Sequence, residues 1–564
     1  MAIFVVTGAA GFVGRHLCQA LRSGGHEVRG VTRHDDASLR NAGVYLWVGD
    51  LWDGGVLASI FDGADYVIHC AGNAIFGNGK TYRRDNLELT RHLVDLTRSS
   101  VSIKRFVFVS TLGVADRSSS DRCHDPLTEA SPCHPSSDYG RSKLDAEDML
   151  RQSGIRYSIV RPTMVVGPDM RYGSHFAVFA RWAMQSAIIS RVAWPGIFSV
   201  LHVDDLAEAL ILAAAHPDAE GQIYYCAGEP VSIGEFFERS APGHHRLRLG
   251  RMASALGSLP LIPFSLRALL LPALVASDAR LRSLGWSPRH GAWKALDTVI
   301  SREKARVDWR VDPGGLTVIT GAASGLGRAL VQRLAQVRAH LLLIDRDAAA
   351  LESLNGIFPK LQMVAADLAD PKAIAAVINS TEWKSLPVTE LYACAGFGLR
   401  GKVHELSVQT QSDMMAVNVI ARLQLAHAAI GGMTRAQFGR VVLISSSSAF
   451  QPLPYMAVYA ASNAALLSLG EAWAAEVAND GVKLVTVCPG GMQTGFQKAA
   501  GVRVIVGEKL MSATDVADRI INGLDAAGST QLVSLRTHLM AALSRLLPRK
   551  LSVAFWRHLM ENLR

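Results

Sequence analysis

The sequence predicts an α/β protein of two tandem domains, each a doubly wound parallel sheet. Three observations predict it. The chain has 564 residues, too many for one hydrophobic core, so two or more domains are expected. A strand–turn–helix unit occurs twice, as IFVVTGAAGFVGR at Ile3–Arg15 and VITGAASGLGR at Val318–Arg328, about 313 residues apart. After each unit, apolar strands alternate with amphipathic helices, the pattern of a parallel sheet covered on both faces.

In the first half, the strand from Ile3 enters a glycine-rich turn and a helix. A second strand follows at Glu27–Thr32, then an acidic turn at Gly49-Asp50-Leu51, then a strand from Val67 that ends in Ala71-Gly72. The second half repeats the order with His340–Asp345, Ala366-Asp367-Leu368 and a strand from Leu391 to Gly396. Fusion of two whole Rossmann-type domains explains so long a repeat better than a solenoid does. The first domain is placed at 1–303, with the sheet in 1–230 and a smaller substrate-binding part in 231–303. Leu284-Gly285-Trp286-Ser287-Pro288 and the following helix close it. A charged stretch, Ser301–Asp312, leads to the turn Asp312-Pro313-Gly314-Gly315, which places a linker at 304–315 and the second domain at 316–564.

Hydrophobic residues make up 49% and charged residues 19%, which permits large cores and excludes wholesale disorder. The net charge of +9 suits phosphorylated compounds or an anionic surface. No Lys/Arg run is interleaved with aromatics, so nucleic acid is not an expected partner. The seven cysteines, at 18, 70, 123, 133, 226, 394 and 488, form no CxxC pair, and they read as free thiols in a reducing, cytoplasmic setting. MAIFVVTGAAG reads as a strand and not as a signal peptide. The longest apolar stretch, Leu259–Ala276, is broken by three prolines and Arg267, which disfavours a membrane span but not contact with a bilayer surface.

A glycine-rich turn between strand and helix lets backbone N–H groups approach a pyrophosphate at the helix N-terminus. Gly8, Gly11 and Gly14 are spaced GxxGxxG, while Gly321, Gly325 and Gly327 are spaced GxxxGxG. With these turns the chain resembles the short-chain dehydrogenase/reductase superfamily. The first half resembles its extended, epimerase/dehydratase-like branch and the second its classical branch, over nearly the whole chain except the linker and C-terminal tail. The resemblance implies an NAD(P)-dependent oxidoreductase that moves hydride between a nicotinamide and a carbonyl or alcohol carbon. It also implies cofactor contacts at Asp50, Leu51 and Ala71, and at Asp367 and Leu368.

The end of the second strand selects the cofactor, because an acid there binds the ribose 2′-hydroxyl and an Arg attracts a 2′-phosphate. Val31-Thr32-Arg33 favours NADP in the first domain. Ile344-Asp345-Arg346 favours NAD in the second through Asp345, with Arg346 pulling the other way.

Carbonyl reduction needs a proton donor, and a tyrosine serves if its pKa is brought down toward neutrality. Tyr139-Gly140-Arg141-Ser142-Lys143 places a lysine one helical turn after a tyrosine, and Thr111 ends the preceding strand. Thr111, Tyr139 and Lys143 are therefore the expected catalytic group, with Lys143 also on the cofactor. Asn86 and the segment His202-Val203-Asp204-Asp205 match family positions, for which capping and packing are an equal explanation. Leu112 and Gly113 stand where dehydratases of this branch carry Asp-Glu, which disfavours dehydration.

In the second domain, Asn418, Ser446 and Tyr459 match the family's catalytic positions, and Pro489-Gly490-Gly491 with Thr494 matches the loop around the nicotinamide. The motif ends in Asn463 where lysine is expected. Asn463 still offers a hydrogen bond to a ribose, but no charge. The lost cation is worth about two pKa units at an effective dielectric near 20. A slow enzyme, one rescued by another cation, or a cofactor-binding scaffold would each follow.

Substrate clues are few. A basic cluster (His244, His245, Arg246, Arg248, Arg251) suits a phosphate, and the apolar run 259–276 suits a greasy substrate or plain packing. The tail from Arg536 reads as two basic amphipathic helices split by Pro548. They suit a domain interface, a homo-oligomer interface or a membrane surface, with interface packing expected. Two working sites would allow oxidation in one and reduction in the other, hence net epimerisation. The alternative is a nucleotide-sugar epimerase in the first domain with the second as a scaffold.

Overall fold

The computed structural model describes residues 1–74, 78–115, 125–243, 247–248, 269–270, 274–355, 361–501, 510–526, 528–546 and 548–561. The chain divides into two compact units, Met1–Glu303 and Lys304–Arg564.

In the first unit, β1 (Ile3–Thr7), β2 (Glu27–Thr32), β3 (Tyr45–Val48), β4 (Tyr66–His69), β5 (Arg105–Val109), β6 (Tyr157–Pro162) and β7 (Gln222–Cys226) form one parallel sheet. The strand order is β7-β6-β5-β4-β1-β2-β3. Phe4 through Thr7 are all buried, as expected of a strand covered on both faces. Helix α1 (Phe12–Ser23) buries Gly14, Leu17, Cys18 and Leu21, the i, i+3, i+4, i+7 stripe of a helix lying on a sheet. Helix α2 (Asp138–Arg151) starts where Ser137 Oγ accepts the Gly140 N–H at 3.0 Å.

Strands Met164–Val166, Ile197–His202 and Glu229–Ser232 form a separate three-stranded sheet in a cluster with Phe176, Phe179, Phe236 and Phe237. The segment from His202 to Asp205 has a folding role here. His202 caps α3 (Val203–Ala215) by accepting the Asp204 N–H at 3.2 Å. The buried Asp205 carboxylate accepts the N–H groups of Arg289 and His290 at 2.9 and 3.1 Å. Its carbonyl accepts the Trp286 indole at 3.1 Å.

Part of the stretch expected as a linker, 304–315, belongs to the packed fold. Helix α4 (Ala292–Val307) runs beyond residue 304, and Trp309 is 1% exposed among Leu330, Leu334 and Leu524 in the core of the second unit. The Arg440 guanidinium lies 4.8 Å from its ring and donates to Asp308 O at 3.0 Å, while Arg338 donates to Trp309 O at 2.5 Å. The surrounding charges hid this tryptophan in the sequence.

The second unit repeats the sheet with β8 (Leu316–Thr320), β9 (Leu341–Asp345), β10 (Leu361–Ala365), β11 (Val388–Ala393), β12 (Gly439–Ile444), β13 (Val482–Cys488) and β14 (Thr530–Leu532). The order is β10-β9-β8-β11-β12-β13-β14, all parallel. Its main helices are α5 (Gly325–Leu334), α6 (Arg422–Ala436) and α7 (Ala457–Val477).

The tail forms α8 (Leu535–Leu546) and α9 (Arg549–Glu561). Within the unit, Met560 and Trp556 of α9 pack with Leu453, Met456 and Tyr459, and Tyr455 donates to Glu561 at 2.7 Å. Leu535, Leu539, Leu543 and Leu546 of α8 are exposed.

The six described cysteines are free thiols, and burial pushes Cys70, Cys394 and Cys488 up to about 12, which makes them poor nucleophiles at neutral pH. Cys123, His244, His245, Arg246, Arg251 and most of 259–276 lie outside the described residues. Arg248 is described by its backbone alone, in the short strand Leu247–Arg248.

Candidate active sites

In both units the strand order reverses beside the first strand, between β1 and β4 and between β8 and β11, and a ligand crevice opens at the C-terminal ends of strands there. Gly8 turns the chain at φ +71° and Gly321 at φ +65°. A methyl on Gly8 would stand 2.9 Å from Ala71 Cα, and one on Gly321 would stand 2.9 Å from Ala395 Cα. A methyl on Gly14 would collide with Gly8 O, as one on Gly327 would with Gly321 O. Gly11 caps α1, and Gly325 opens α5. These cradles, which a side chain would fill, fit a dinucleotide pyrophosphate at each helix N-terminus.

Tyr139 and Lys143 lie on the face of α2 that also buries Glu147. Glu147 anchors the helix. It takes the Arg161 guanidinium of β6 through two bonds, at 3.0 and 2.6 Å, and accepts the Ser110 hydroxyl. Thr111 Oγ1 accepts the Gly113 N–H at 3.1 Å, and the Thr111 side chain lies close enough to the Tyr139 phenol to pull its pKa down.

Lys143 is buried, donates to Val109 O at 2.8 Å and lies 4.6 Å from the Phe108 ring centroid. The expectation of a phenol brought toward neutrality is not met here. Burial, against the opposing pull of Thr111, pushes Tyr139 up to about 12, and burial brings Lys143 down to about 8. Desolvation is the largest influence on the phenol.

The second unit has the same parts. Ser446 Oγ accepts the Ser448 N–H at 3.2 Å, and its side chain lies close enough to the Tyr459 phenol to pull its pKa down. Asn463 is buried, with its amide donating to Tyr459 O at 2.9 Å, so the side chain at the lysine position turns onto its own helix. Thr494 lies beside Gly325, and the Phe496 ring is 5.4 Å from the Tyr459 ring. The loop after Pro489 is thus brought to both the glycine turn and the phenol.

Asn418 and Asn86 are equivalent braces, each in a π-helical turn, Ala416–Ala421 and Arg83–Glu88. The Asn418 side chain bonds Phe397 N, Phe397 O and Ser462 Oγ at 3.1, 3.0 and 3.1 Å, and Ser462 donates to Tyr459 O. The Asn86 side chain bonds Asn73 N, Asn73 O and Ser142 Oγ at 2.8, 3.0 and 3.0 Å, and Ser142 donates to Tyr139 O. In both units, therefore, the asparagine ties the loop after the strand to the tyrosine helix.

Arg33 is exposed past the end of β2 and makes no ion pair with a described residue. Asp345 accepts Ala323 N at 3.0 Å and so braces the second glycine turn. Asp50 and Asp367 each accept the backbone N–H two residues on, at 3.2 and 2.9 Å, in local turns. Leu51 and Leu368 pack into the cores. Sequence reasoning missed Glu147, Phe496 and Tyr82, whose ring lies 5.8 Å from that of Tyr139. It also missed a cavity of about 410 Å³ against the first turn of α7, lined by Leu399, Met414, Pro454, Tyr455, Val458 and Arg557 among others.

Two family models match the chain: the NAD dependent epimerase/dehydratase family over residues 4–228 and short chain dehydrogenase over residues 316–503. The inactive 2-(S)-hydroxypropyl-CoM dehydrogenase 2 of Xanthobacter autotrophicus is 36% identical over 29% of this chain and 70% of that protein. The chain belongs to the short-chain dehydrogenase/reductase superfamily. This short-chain dehydrogenase/reductase is also 32% identical to 2-(S)-hydroxypropyl-CoM dehydrogenase 3 of the same organism, over 30% of this chain and 69% of that one. A solved UDP-glucuronic acid 4-epimerase from Bacillus cereus, in complex with UDP-glucuronic acid and NAD, is 20% identical and has a TM-score of 0.43, over 54% of this chain and 99% of that one. The protein is an NAD(P)-dependent oxidoreductase with an epimerase-like first half and a short-chain-dehydrogenase second half.

Proposed function

We propose that each unit carries its own site for oxidoreduction of a carbonyl or alcohol carbon, the first with NADP and the second with NAD. The observation that supports this most is the hydroxyl side chain just past a strand end that acts on a helix phenol in each unit, Thr111 on Tyr139 and Ser446 on Tyr459. Gly8, Gly11 and Gly14 would hold the pyrophosphate in the first unit, and Gly321, Gly325 and Gly327 in the second. Asp50, Leu51 and Ala71 would line the first cofactor site, and Asp367 and Leu368 the second. When bound, the nicotinamide supplies or accepts the hydride.

The protein moves the proton. In reduction, the Tyr139 hydroxyl gives its proton to the substrate oxygen while Thr111 orients both, and the Lys143 cation stabilises the phenolate left behind. Tyr459 and Ser446 act likewise in the second unit. The cavity against α7, with apolar walls beside Lys402, His404 and Arg557, supports an apolar carbonyl compound with an anionic group as the substrate there.

The test follows nicotinamide absorbance with the full chain, both cofactors and a panel of ketones and secondary alcohols. Tyr139→Phe should remove the NADP-linked activity and Tyr459→Phe the NAD-linked activity. Loss of both activities on Tyr139→Phe, with Tyr459→Phe silent, would leave one enzyme site and a scaffold.

Cofactor choice has its own test. Arg33→Ala should weaken NADP binding on the order of tenfold to a hundredfold and leave NAD binding unchanged, the scale of one charge-assisted hydrogen bond to a phosphate. Equal losses for both cofactors in fluorescence titrations would show that Arg33 does not read the 2′-phosphate.

A further inference from the structure

We infer that Arg422, on helix α6, supplies to Tyr459 the positive charge that the Tyr459–Asn463 motif lacks. The inference rests on Tyr459 being the second unit's proton donor. Three placements carry it. Lys143 Nζ donates to Val109 O, the strand-end carbonyl two residues before Thr111, and Arg422 Nη1 donates to Ile444 O, the strand-end carbonyl two residues before Ser446. Next, a methyl on Gly72, after β4, would stand 3.6 Å from Lys143 Nζ, while one on Gly396, after β11, would run into Arg422 Nη2. Both cations therefore lie between the same two strand ends.

The third placement is an exchange of positions. Arg422 stands four residues after Asn418. Four residues after the equivalent Asn86 stands Thr90, which contacts His69 at 3.0 Å. The first unit thus puts its cation on the tyrosine helix and a neutral residue on the asparagine helix, and the second unit does the reverse.

Arg422 is buried, and its bonds go to the carbonyls of Ala395, Cys394 and Ile444. No carboxylate among the described residues lies within ion-pair distance of it. A buried guanidinium held by carbonyls alone is costly, and a phenolate at Tyr459 would be its counter-charge. Burial brings Arg422 down to about 10, and the charges of Arg422 and Tyr459 act on each other. Arg422 is thus a positioning residue that acts through the phenol. Its guanidinium also braces the Cys394–Ala395 turn, so the test must separate charge from bracing.

Tyr459 ionisation is read in the full chain as the phenolate absorbance difference between each protein and its Tyr459→Phe counterpart, which needs no substrate. Arg422→Gln should raise the midpoint by about one to two pH units, the scale of one nearby charge at an effective dielectric near 20. Arg422→Lys should leave it in place, and Asn463→Lys added to Arg422→Gln should bring it back down. An unchanged midpoint in Arg422→Gln, or an equal rise in Arg422→Lys, overturns the inference.

If Arg422→Gln does not fold, Asn463→Lys in the native chain decides. A lysine beside a buried guanidinium gives up its own proton, so the midpoint should stay, and a fall of about two pH units would mean no cation had served Tyr459. A charge-dependent midpoint in a chain without second-unit turnover would sink the proposed activity and keep the electrostatics. Turnover that needs Tyr459 but ignores Arg422 would do the opposite.

Discussion

Tyr139→Phe is expected to cut first-unit turnover by about a hundred- to ten-thousandfold, the usual worth of a positioned general acid, and to leave NADP affinity within a few fold. The phenol is held by the α2 helix, anchored by Glu147 on Arg161, and by the Tyr82 ring, with Thr111 nearby. Removing one oxygen leaves that frame intact, so the loss should fall on kcat. The pH profile should identify the partner cation. With Tyr139 near 12 and Lys143 near 8, the phenol keeps its proton throughout the working range while the lysine discharges. Reduction should therefore run level below about pH 8 and fall above it. The measurement is NADPH oxidation in a Tyr459→Phe background. Full turnover without the phenol, or a rate that climbs through pH 9, would contradict the assignment.

Glu390→Gln should destabilise the second unit by about 3–5 kcal/mol, the cost of breaking a buried ion pair by removing one partner. Glu390 is fully buried and takes Arg338 at 2.5 and 3.1 Å, Arg440 at 2.6 Å and the Thr317 hydroxyl at 2.8 Å. The variant leaves two guanidinium groups without a counter-charge. Burial alone would raise the Glu390 pKa, but Arg440 and Arg338 outweigh it and hold the pKa below its ordinary value. A carboxylate lowered in the folded state stabilises fully above its unfolded pKa, about 4.3, and loses that contribution as pH falls through the lower folded value. Urea unfolding should show a large gap between native and Glu390→Gln proteins at neutral pH that closes below about pH 4. Equal stabilities at neutral pH would refute the ion triad as a structural anchor.

The two glycine turns and the strand ends were legible because the backbone itself sets them: a φ near +70°, a carbonyl with no room for a methyl, a hydroxyl two residues past a strand. Thr111, Tyr139 and Ser446 follow from the same local spacing. Glu147 with Arg161, and Arg338 with Glu390 and Arg440, were not legible. The second set joins elements 50 or more residues apart, the first sits on consecutive elements 14 residues apart, and in both a buried charge looks like a surface charge until its partner is known. Asn463 was read as a lost cation, while Arg422 lay on another helix, where periodicity marks it as one more charge in an apolar run. His202 and Asp205 matched family positions with capping and packing as an equal explanation, and the structure uses them to cap a helix and hold the turn at Trp286.

The burial of Trp309 decides where this polypeptide can be divided. The Gly314-Gly315 turn invites a cut, yet a fragment that begins there leaves a gap in the core cluster of the second unit and strips Arg338 and Arg440 of the carbonyls of residues 308 and 309. The loss of a core tryptophan alone costs about 3–5 kcal/mol, a large part of what an ordinary domain has to spare. A second unit made by itself should start upstream of Trp309, within α4, so that its first folded residues carry their own plug.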